Sequence, residues 1–379
     1  MVIEKEQLKF LHDLGGDERE LEIVKTTAVN NLCKYFDQFL PITTKKFNDL
    51  KWLKNAPTDD FFGSRPIYDY MKKEVKNLDF DEQDLKSFIY INYSKEYSLF
   101  EQSHLGIFSG ILLEQLDQNE VYINGLNQFY NCLFKWTKNF NNLILDNFQG
   151  QFTFNNIGAE GKINNLIIAN SELDMGAEYL GGRGGNIDTL LFLNCSGNHM
   201  GSSIGENKGK VNKLIIANNY GEYSMHMGDE SEVNFILNAY NNGASDSGQV
   251  NEKCKAGTII YDSNIRGEDQ KGSLYGFGDN LIVANYDARQ LSLHYGYFDK
   301  AILHNIKEDP KYKIFYREYT RKFHSEKIIG DPKAGFEYRK IKEKHNITDL
   351  LEFFKQMQGK HYSKEEIYNV KQMVEDIKV

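Results

Sequence analysis

The sequence predicts a mainly β fold: a parallel β-solenoid of about 8–9 coils, with an α-helical region before it and helices after it. Three observations support this fold class. A short apolar phrase returns every 20 to 24 residues through the middle of the chain, and an asparagine closes most of its copies. The composition agrees, because 31 glycines against 5 prolines suit a β-rich chain with tight corners.

Each copy of the phrase, such as Leu166-Ile-Ile-Ala-Asn170, has four or five consecutive apolar residues. That run is too short for a helix with one buried face, so paired-helix repeats are excluded, and the pattern of leucine-rich repeats is absent. One strand per coil of a parallel solenoid fits the period. The first apolar residues, which serve as anchors, are Val121 as a degenerate first copy, Leu143, Leu166, Leu190, Leu214, Phe235, Ile259, Leu281 and Ala301.

An asparagine ladder is predicted four positions after the anchors. At a turn, asparagine tolerates a left-handed backbone, and equivalent amides in successive coils can hydrogen-bond to one another. Six of eight copies have the residue, and Ala239 and Ser263 are the exceptions. The predicted ladder consists of Asn147, Asn170, Asn194, Asn218, Asn285 and Asn305.

A second, weaker motif follows the anchors by about 13 to 15 residues and ends in glycine, as in Tyr179-Leu-Gly181 and His226-Met-Gly228. Its phase predicts a second strand that ends at a glycine corner. In period and in the asparagine ladder, residues 121–306 resemble the right-handed parallel β-helix proteins. The resemblance implies a fold and brings no functional residue with it.

The solenoid domain is assigned residues 88–306 and opens with a strand at 88–93, where β-branched and aromatic residues alternate with others. Residues 1–87 form a helical N-terminal region. Its predicted helices are 5–14, 21–40, 44–54 and 66–77, and Pro41 is expected to end the second of them.

Residues 307–379 form a helical C-terminal region. Its first helix follows Asp309 and has an aromatic stripe at helical spacing: Tyr312, Phe315, Tyr316, Tyr319 and Phe323. Further helices are predicted after Pro332, at 350–357 with Thr348 as cap, and after a capping box that begins at Ser363. We expect these helices to close the open end of the solenoid, which would otherwise expose unpaired strand edges.

Composition disfavours several classes of partner. The net charge is -9, and the mildly basic tail at 307–379 lacks the clustered stripe of basic residues that nucleic acids require, so nucleic-acid binding is disfavoured.

The four cysteines are far apart and match no zinc motif, which predicts reduced, mostly buried thiols. No secretion signal and no membrane span is recognised, so a cytoplasmic protein without membrane contact is predicted.

Candidate binding residues cluster around the second motif. They are Tyr179, Arg183, His199, Tyr223, His226, Asp229 and His294. Aromatic side chains beside charges suit the recognition of proteins or sugars. The glycine-rich segment 181–185 lacks the spacing of a phosphate loop and is interpreted as a solenoid corner. The histidines are too far apart in the repeat for a metal site, and no cofactor or catalytic residue is predicted.

The leading hypothesis for function is a non-catalytic scaffold or protein–protein interaction module, with a protein partner or a homo-oligomer as its assembly. The alternative is a carbohydrate-binding or carbohydrate-active β-helix that uses the candidate residues. Glycoside hydrolysis needs two carboxyls, and Glu172, Asp174 and Glu178 lie close to these residues in the sequence.

Overall fold

The fold is taken from a computed structural model. It describes residues 26–48, 64–76, 78–220, 226–242, 249–250, 254–264, 272–274, 278–285, 287–288, 291–293, 298–305, 307–308, 315–316, 326–329 and 332–379. The predicted helix at 5–14 and most of the one at 44–54 lie outside these ranges. Within them, no helix combines the length and the apolar content needed to cross a membrane.

The described helices before the solenoid are α1 (Thr27–Asn48), α2 (Ser64–Glu74), α3 (Glu82–Tyr93) and α4 (Leu99–Leu113). The predicted helix end at Pro41 is wrong, because α1 continues through this residue. Thr43 Oγ1 donates to Phe39 O at 3.0 Å and to Leu40 O at 3.1 Å in the turn around the proline. Phe36 packs on Phe108 of α4, with ring centroids 5.5 Å apart. Tertiary packing therefore outweighs the local effect of the proline.

The predicted strand at 88–93 is also wrong, because these residues belong to α3, and the boundary assigned at residue 88 falls inside this helix. Asp81 and Asp84 form a capping box at its start. Leu85, Phe88 and Ile89 then lie on one buried face at helical spacing. The helical period was hidden by a composition that favours strands when considered alone.

The N-terminal helices cover the first coil of the solenoid. Gly106 of α4 is so close to the coil that an added Cβ would overlap Cys132 O. Tyr90 Oη, from α3, donates to Asn124 O at 2.7 Å. The buried residues of these helices form one core with the solenoid interior. The exposed end that a solenoid would otherwise present is therefore occupied by helices.

The main sheet stacks parallel strands in chain order. Its described strands are β1 (Glu120–Phe129), β2 (Phe140–Gln151), β3 (Lys162–Ala169), β5 (Asn186–Leu193), β6 (Lys210–Ala217), β8 (Glu232–Ala239), β10 (Lys255–Asp262), β12 (Gly278–Ala284), β15 (Phe298–His304) and β18 (Glu326–Ile329). From β1 to β10 the chain makes about six turns. The prediction of a mainly β, parallel solenoid with helices at both termini is confirmed.

Shorter strands lie in the connections. They are β4 (Glu172–Asp174), β7 (His226–Met227), β9 (Gln249–Val250), β11 (Gly272–Leu274), β13 (Asp287–Ala288), β14 (Leu291–Leu293), β16 (Lys307–Glu308) and β17 (Phe315–Tyr316). The predicted aromatic helix is wrong at 315–316, because β17 pairs with β14 of the preceding coil. The other residues of that stripe, Tyr312, Tyr319 and Phe323, lie outside the described ranges.

The predicted anchors match the observed strand register except for a displacement of one residue at β8. The anchors before β8 pair with one another across successive strands. In β8, Leu214 pairs with Ile236 and not with the predicted anchor Phe235. The residue at the ladder position of that coil is therefore Tyr240 rather than Ala239.

All six predicted ladder asparagines have a left-handed backbone, with φ between 48° and 63°. Tyr240 has the same conformation, with φ 57°. Asn194 Nδ2 donates to Asn170 Oδ1 at 2.9 Å, and Asn305 Nδ2 donates to Asn285 Oδ1 at 2.8 Å. The left-handed turn thus recurs from coil to coil, whereas direct bonds between ladder amides join particular pairs.

A buried amide column next to this turn was not predicted. Asn219, Asn241 and Asn264 each lie in the core. Asn219 N donates to Asn241 Oδ1 at 2.7 Å, and Asn241 N donates to Asn264 Oδ1 at 2.8 Å. These side chains satisfy backbone donors that the turn leaves without a strand partner. They lie one residue after the ladder positions found in the structure, which are Asn218, Tyr240 and Ser263 in successive coils.

The predicted second strand is wrong at residues 179–181 and 203–205, whereas β7 agrees with it at His226–Met227. φ is positive at every second residue from 175 to 183 and from 199 to 207, which no β-strand allows. The backbone of this segment bonds to both neighbouring coils: Tyr179 N donates to Ser202 O at 3.0 Å, and Gly181 N donates to Ile157 O at 2.8 Å. Glycine occupies several of these positions, where the left-handed conformation costs least.

Three helices follow the solenoid: α5 (Lys333–His345), α6 (Thr348–Met357) and α7 (Lys364–Glu375). The capping box at Ser363 is confirmed, whereas Thr348 is the first residue of α6 and makes no side-chain cap. We expected these helices to close the open end, and this expectation is wrong, because they pack on the outer face of the main sheet. That face is a row of fully buried apolar side chains: Ile144, Ile167, Leu191, Ile215, Leu237, Ile260, Ile282 and Ile302.

Polar contacts fix the C-terminal helices along the stack of coils. At the end of β10, Tyr338 Oη donates to the buried Asp262. In the middle, Asn218 Nδ2 donates to Tyr362 Oη at 2.6 Å. At the first strand, Lys371 Nζ lies 2.8 Å from Glu120 Oε2. The C-terminal segment therefore returns along the solenoid toward its first coil.

Lys213→Met should loosen α7. Lys213 Nζ donates to Val374 O at 2.9 Å and to Glu375 O at 3.2 Å, where the helix dipole is negative. We expect the free energy of unfolding to fall by about 1–2 kcal/mol and the α7 amides to exchange faster with deuterium. Lys210→Met is the control, because Lys210 lies in the same strand as Lys213 but forms an exposed ion pair with Glu232 of β8. Its substitution should change the free energy of unfolding by less than about 0.5 kcal/mol. Equal effects of the two substitutions would contradict the anchoring role.

Candidate functional site

The predicted candidates lie on a turn flank, which we define as residues 175–185, 199–209 and 226–230 of three successive coils. Tyr179, His226 and Asp229 are half-buried there, and His199 is exposed. Arg183 Cζ lies 5.2 Å from the ring centroid of the fully buried Trp136. Tyr223 and His294 lie outside the described ranges.

The turn flank spreads these candidates over separate columns. Arg183 and Asp229 are two coils apart, because each bonds through the backbone to residues 206–207 of the coil between them. His199 follows Asn198, whose carbonyl accepts from Met175 N at 2.7 Å, so it lies in another column. The candidates therefore form no single compact set among the described residues.

Glu178 is a half-buried carboxyl on the turn flank. Burial raises its pKa to about 7, although hydrogen bonds oppose the shift. Ser202 Oγ donates to Oε1 at 2.8 Å, and Asn155 Nδ2 donates to Oε2 at 3.3 Å. Glu178 N donates in return to Asn155 Oδ1 at 3.0 Å. Both carboxyl oxygens are thus bonded to neighbouring coils, which suits a structural role better than proton transfer to a ligand.

Glu178→Gln should remove a pH dependence of stability. Between about pH 4.5 and pH 7 the folded wild type keeps the proton that the unfolded chain loses, so its stability falls as the pH rises. The neutral amide of the variant has no such dependence. We therefore expect the free energy of unfolding of the variant, relative to that of wild type, to rise by about 1–3 kcal/mol from about pH 5 to pH 8. Urea unfolding at the two pH values measures this, with the exposed Glu172→Gln as control. A stability difference between Glu178→Gln and wild type that does not change with pH would contradict the raised pKa.

An exposed face that the sequence analysis missed follows the asparagine turn. We call it the short-strand face and define it by the column Phe129, Gln149, Glu172, Ser196, Tyr220 and Asn242. Phe129 is 66% exposed and Tyr220 is 52% exposed. Four of these residues stand six positions after an anchor, which is a signal in the sequence. The register shift between Asn124 and Gln128 hides the equivalence of Phe129.

The four cysteines form no disulfide, and Cys132, Cys195 and Cys254 are buried. Burial raises the pKa of Cys132 to about 11 and that of Cys195 to about 12. Because the thiolate is the nucleophile, these two thiols are inert at neutral pH. Their placement agrees with the prediction of buried thiols.

Metal ligands and relatives give no further guide to function. Among the described residues, no group of three or more His, Cys, Asp or Glu side chains is placed to hold a metal ion. The resemblance to parallel β-helix proteins is one of fold, namely the stacked parallel coils. No protein-family model, curated protein or solved structure matches this chain.

Proposed function

We propose that this protein is a non-catalytic cytoplasmic scaffold that binds another protein or further copies of itself. In this proposal the complete solenoid has the about 8–9 coils that the repeat predicts. The observation that carries the proposal is the short-strand face. It is exposed at Phe129 and Tyr220, whereas the chain's own helices cover the outer face of the main sheet.

The short-strand face has the composition of a protein interface. Aromatic side chains are enriched at interface cores, and a polar surround is usual. Phe129 and Tyr220 stand four coil steps apart, or roughly 19 Å at about 4.8 Å per step. Because the stacked coils fix this spacing, a partner meets both aromatic side chains without the cost of ordering a loop.

Phe129→Ser combined with Tyr220→Ser tests the proposal. We expect wild type to bind a stoichiometric partner in gentle affinity isolation from its native cells, or to form a homo-oligomer in sedimentation velocity runs, and the double variant to lose this assembly. Phe336→Ser is the control, because Phe336 is 54% exposed on α5 and does not belong to this face. A monomeric wild type without a partner, or a double variant that assembles as wild type does, would refute the scaffold.

The alternative hypothesis places carbohydrate binding or carbohydrate chemistry on the turn flank. The described contacts favour this alternative less than the scaffold. The ring beneath Arg183 is that of the fully buried Trp136, and both carboxyl oxygens of Glu178 accept hydrogen bonds within the protein. Glycan binding that is lost in Arg183→Ala or His199→Ala would support this alternative over the scaffold.

A further inference from the structure

A groove of about 650 Å³ lies where the long strands begin, at the opposite end of these strands from the short-strand face. The end of α4, the segment between α4 and β1, and the starts of β1, β2 and β3 form its walls. Its polar lining consists largely of side-chain amides: Gln118, Asn119, Asn139, Asn141, Asn142 and Asn164. Two adjacent coils and the segment before them thus contribute the same functional group.

The groove amides are held in place by bonds between coils. Asn164 Nδ2 donates to Asn141 Oδ1 at 3.2 Å. Lys162 N donates to Asn139 Oδ1 at 2.9 Å. A ligand would therefore meet polar groups whose side-chain torsions are already restrained, which lowers the entropic cost of binding.

Part of the bonding capacity of these amides is unused. A primary amide has two N–H donors and an oxygen with two lone pairs. Within the part of the chain that the structure describes, Asn139 Nδ2, Asn141 Nδ2 and Asn164 Oδ1 make no hydrogen bond to another protein group and are exposed to solvent. The groove therefore offers donors and acceptors side by side.

The charge of the lining narrows the class of ligand. The Glu114 carboxylate is already bonded to Lys72 and to the backbone N–H of Lys138. Asp117 and Lys162 have opposite charges, so the groove has no cationic surplus for a phosphate. Extended peptides additionally require pockets for their side chains, whereas Phe140 is half-buried in a lining that is mostly polar.

We propose that this groove binds a neutral, hydroxyl-rich ligand of the class of linear oligosaccharides. A hydroxyl is a donor and an acceptor at once, which matches the mixed amides of the lining. The half-buried ring of Phe140 offers an apolar surface for the C–H face of a sugar. The groove is separate from the short-strand face and from the turn flank, so the inference does not rest on the scaffold proposal.

The test removes one amide pair inside the groove and compares it with an equivalent pair outside. Asn141→Ala with Asn164→Ala is the groove variant. Asn212→Ala with Asn234→Ala is the control, because Asn234 Nδ2 donates to Asn212 Oδ1 at 2.9 Å in the same column, two coils beyond Asn164. The groove variant loses one exposed amide bond, and the control loses two, because Asn212 Nδ2 also donates to Asp188 Oδ1 at 2.9 Å. A loss of binding confined to the groove variant therefore cannot be attributed to a greater loss of such bonds.

The full chain is titrated calorimetrically with cellohexaose, xylohexaose, maltohexaose and chitohexaose, and with a Ser/Gly decapeptide. We expect at least one hexaose to bind, with affinity reduced about tenfold or more in the groove variant and changed less than about twofold in the control. Failure of all four sugars to bind at millimolar concentration, equal affinities in the two variants, or binding of the decapeptide alone would overturn the proposal. None of these outcomes depends on whether a protein partner is found.

Discussion

Phe354→Ala should lower the free energy of unfolding by about 3–5 kcal/mol, because the side chain is fully buried in the cluster that joins α6 to the outer face of the main sheet. Its truncation leaves a cavity over a row of apolar strand residues that cannot collapse far, since the stacked coils are held in register. The loss should appear in urea unfolding as a lower midpoint with an unchanged slope.

Phe353→Ala is the matched control for this prediction. Phe353 is the adjacent residue of the same helix and is half-buried, with its ring 6.4 Å from that of Tyr362. We expect its truncation to cost about 1 kcal/mol. If the two substitutions cost the same, α6 would not be docked on the sheet by the face described.

Gly185→Ala should cost about 4 kcal/mol or more, or prevent folding altogether. Glycine precedes β3, β5 and β6 at Gly161, Gly185 and Gly209, and at each position an added Cβ would overlap a carbonyl oxygen of the preceding coil. At Gly185 the overlapped atom is Gly158 O, which is backbone and cannot turn aside. The substitution therefore forces two coils apart along the stack.

Gly184→Ala separates this clash from ordinary backbone strain. Gly184 has φ +77° and no atom within 4 Å of an added Cβ. Its substitution should cost only about 1 kcal/mol, the price of a left-handed alanine. Thermal or urea unfolding of the two variants, and their soluble yield, distinguish the outcomes; a Gly185→Ala protein as stable as Gly184→Ala would mean that the coils are not stacked as closely as described.

The solenoid could be predicted because the apolar residues that form its strands recur in the sequence at a regular spacing. Apolar phrases with a fixed period leave few folds open, and the register follows the anchors until β8. The partner of the outer face could also have been inferred, because four consecutive apolar residues, as in Leu166 to Ala169, alternate sides along a strand and require both faces to be covered. The phrase therefore implied that the outer face is covered, although neither it nor the amphipathic pattern of the C-terminal helices identifies these helices as the cover.

The candidate surfaces were harder to predict, for two physical reasons. Phe129 follows a bulge that adds two residues to β1, because the step from Asn124 to Gln128 faces the step from Asp146 to Phe148, so counting six positions from the anchor does not find it. The amide groove combines the starts of three strands with the end of α4, so only part of its lining recurs with the repeat: Asn141 and Asn164 are one period apart, whereas the residues at the end of α4 lie outside the repeat. The turn flank shows the opposite problem, because its residues recur at the period of the repeat and yet form no compact site. The left-handed conformation at alternate residues and the burial of Trp136 leave them dispersed.

The return of α5 to α7 along the stack has a consequence for the order of events during synthesis. A ribosome makes the chain from its first residue, so strands from β1 onward can stack before the last helices exist. Until residues 333–375 emerge, the nascent solenoid presents a continuous row of apolar side chains from Ile144 to Ile302 to the surrounding solution. The window between completion of the coils and arrival of the C-terminal helices is then the period in which this chain is most exposed to aggregation and most dependent on chaperones.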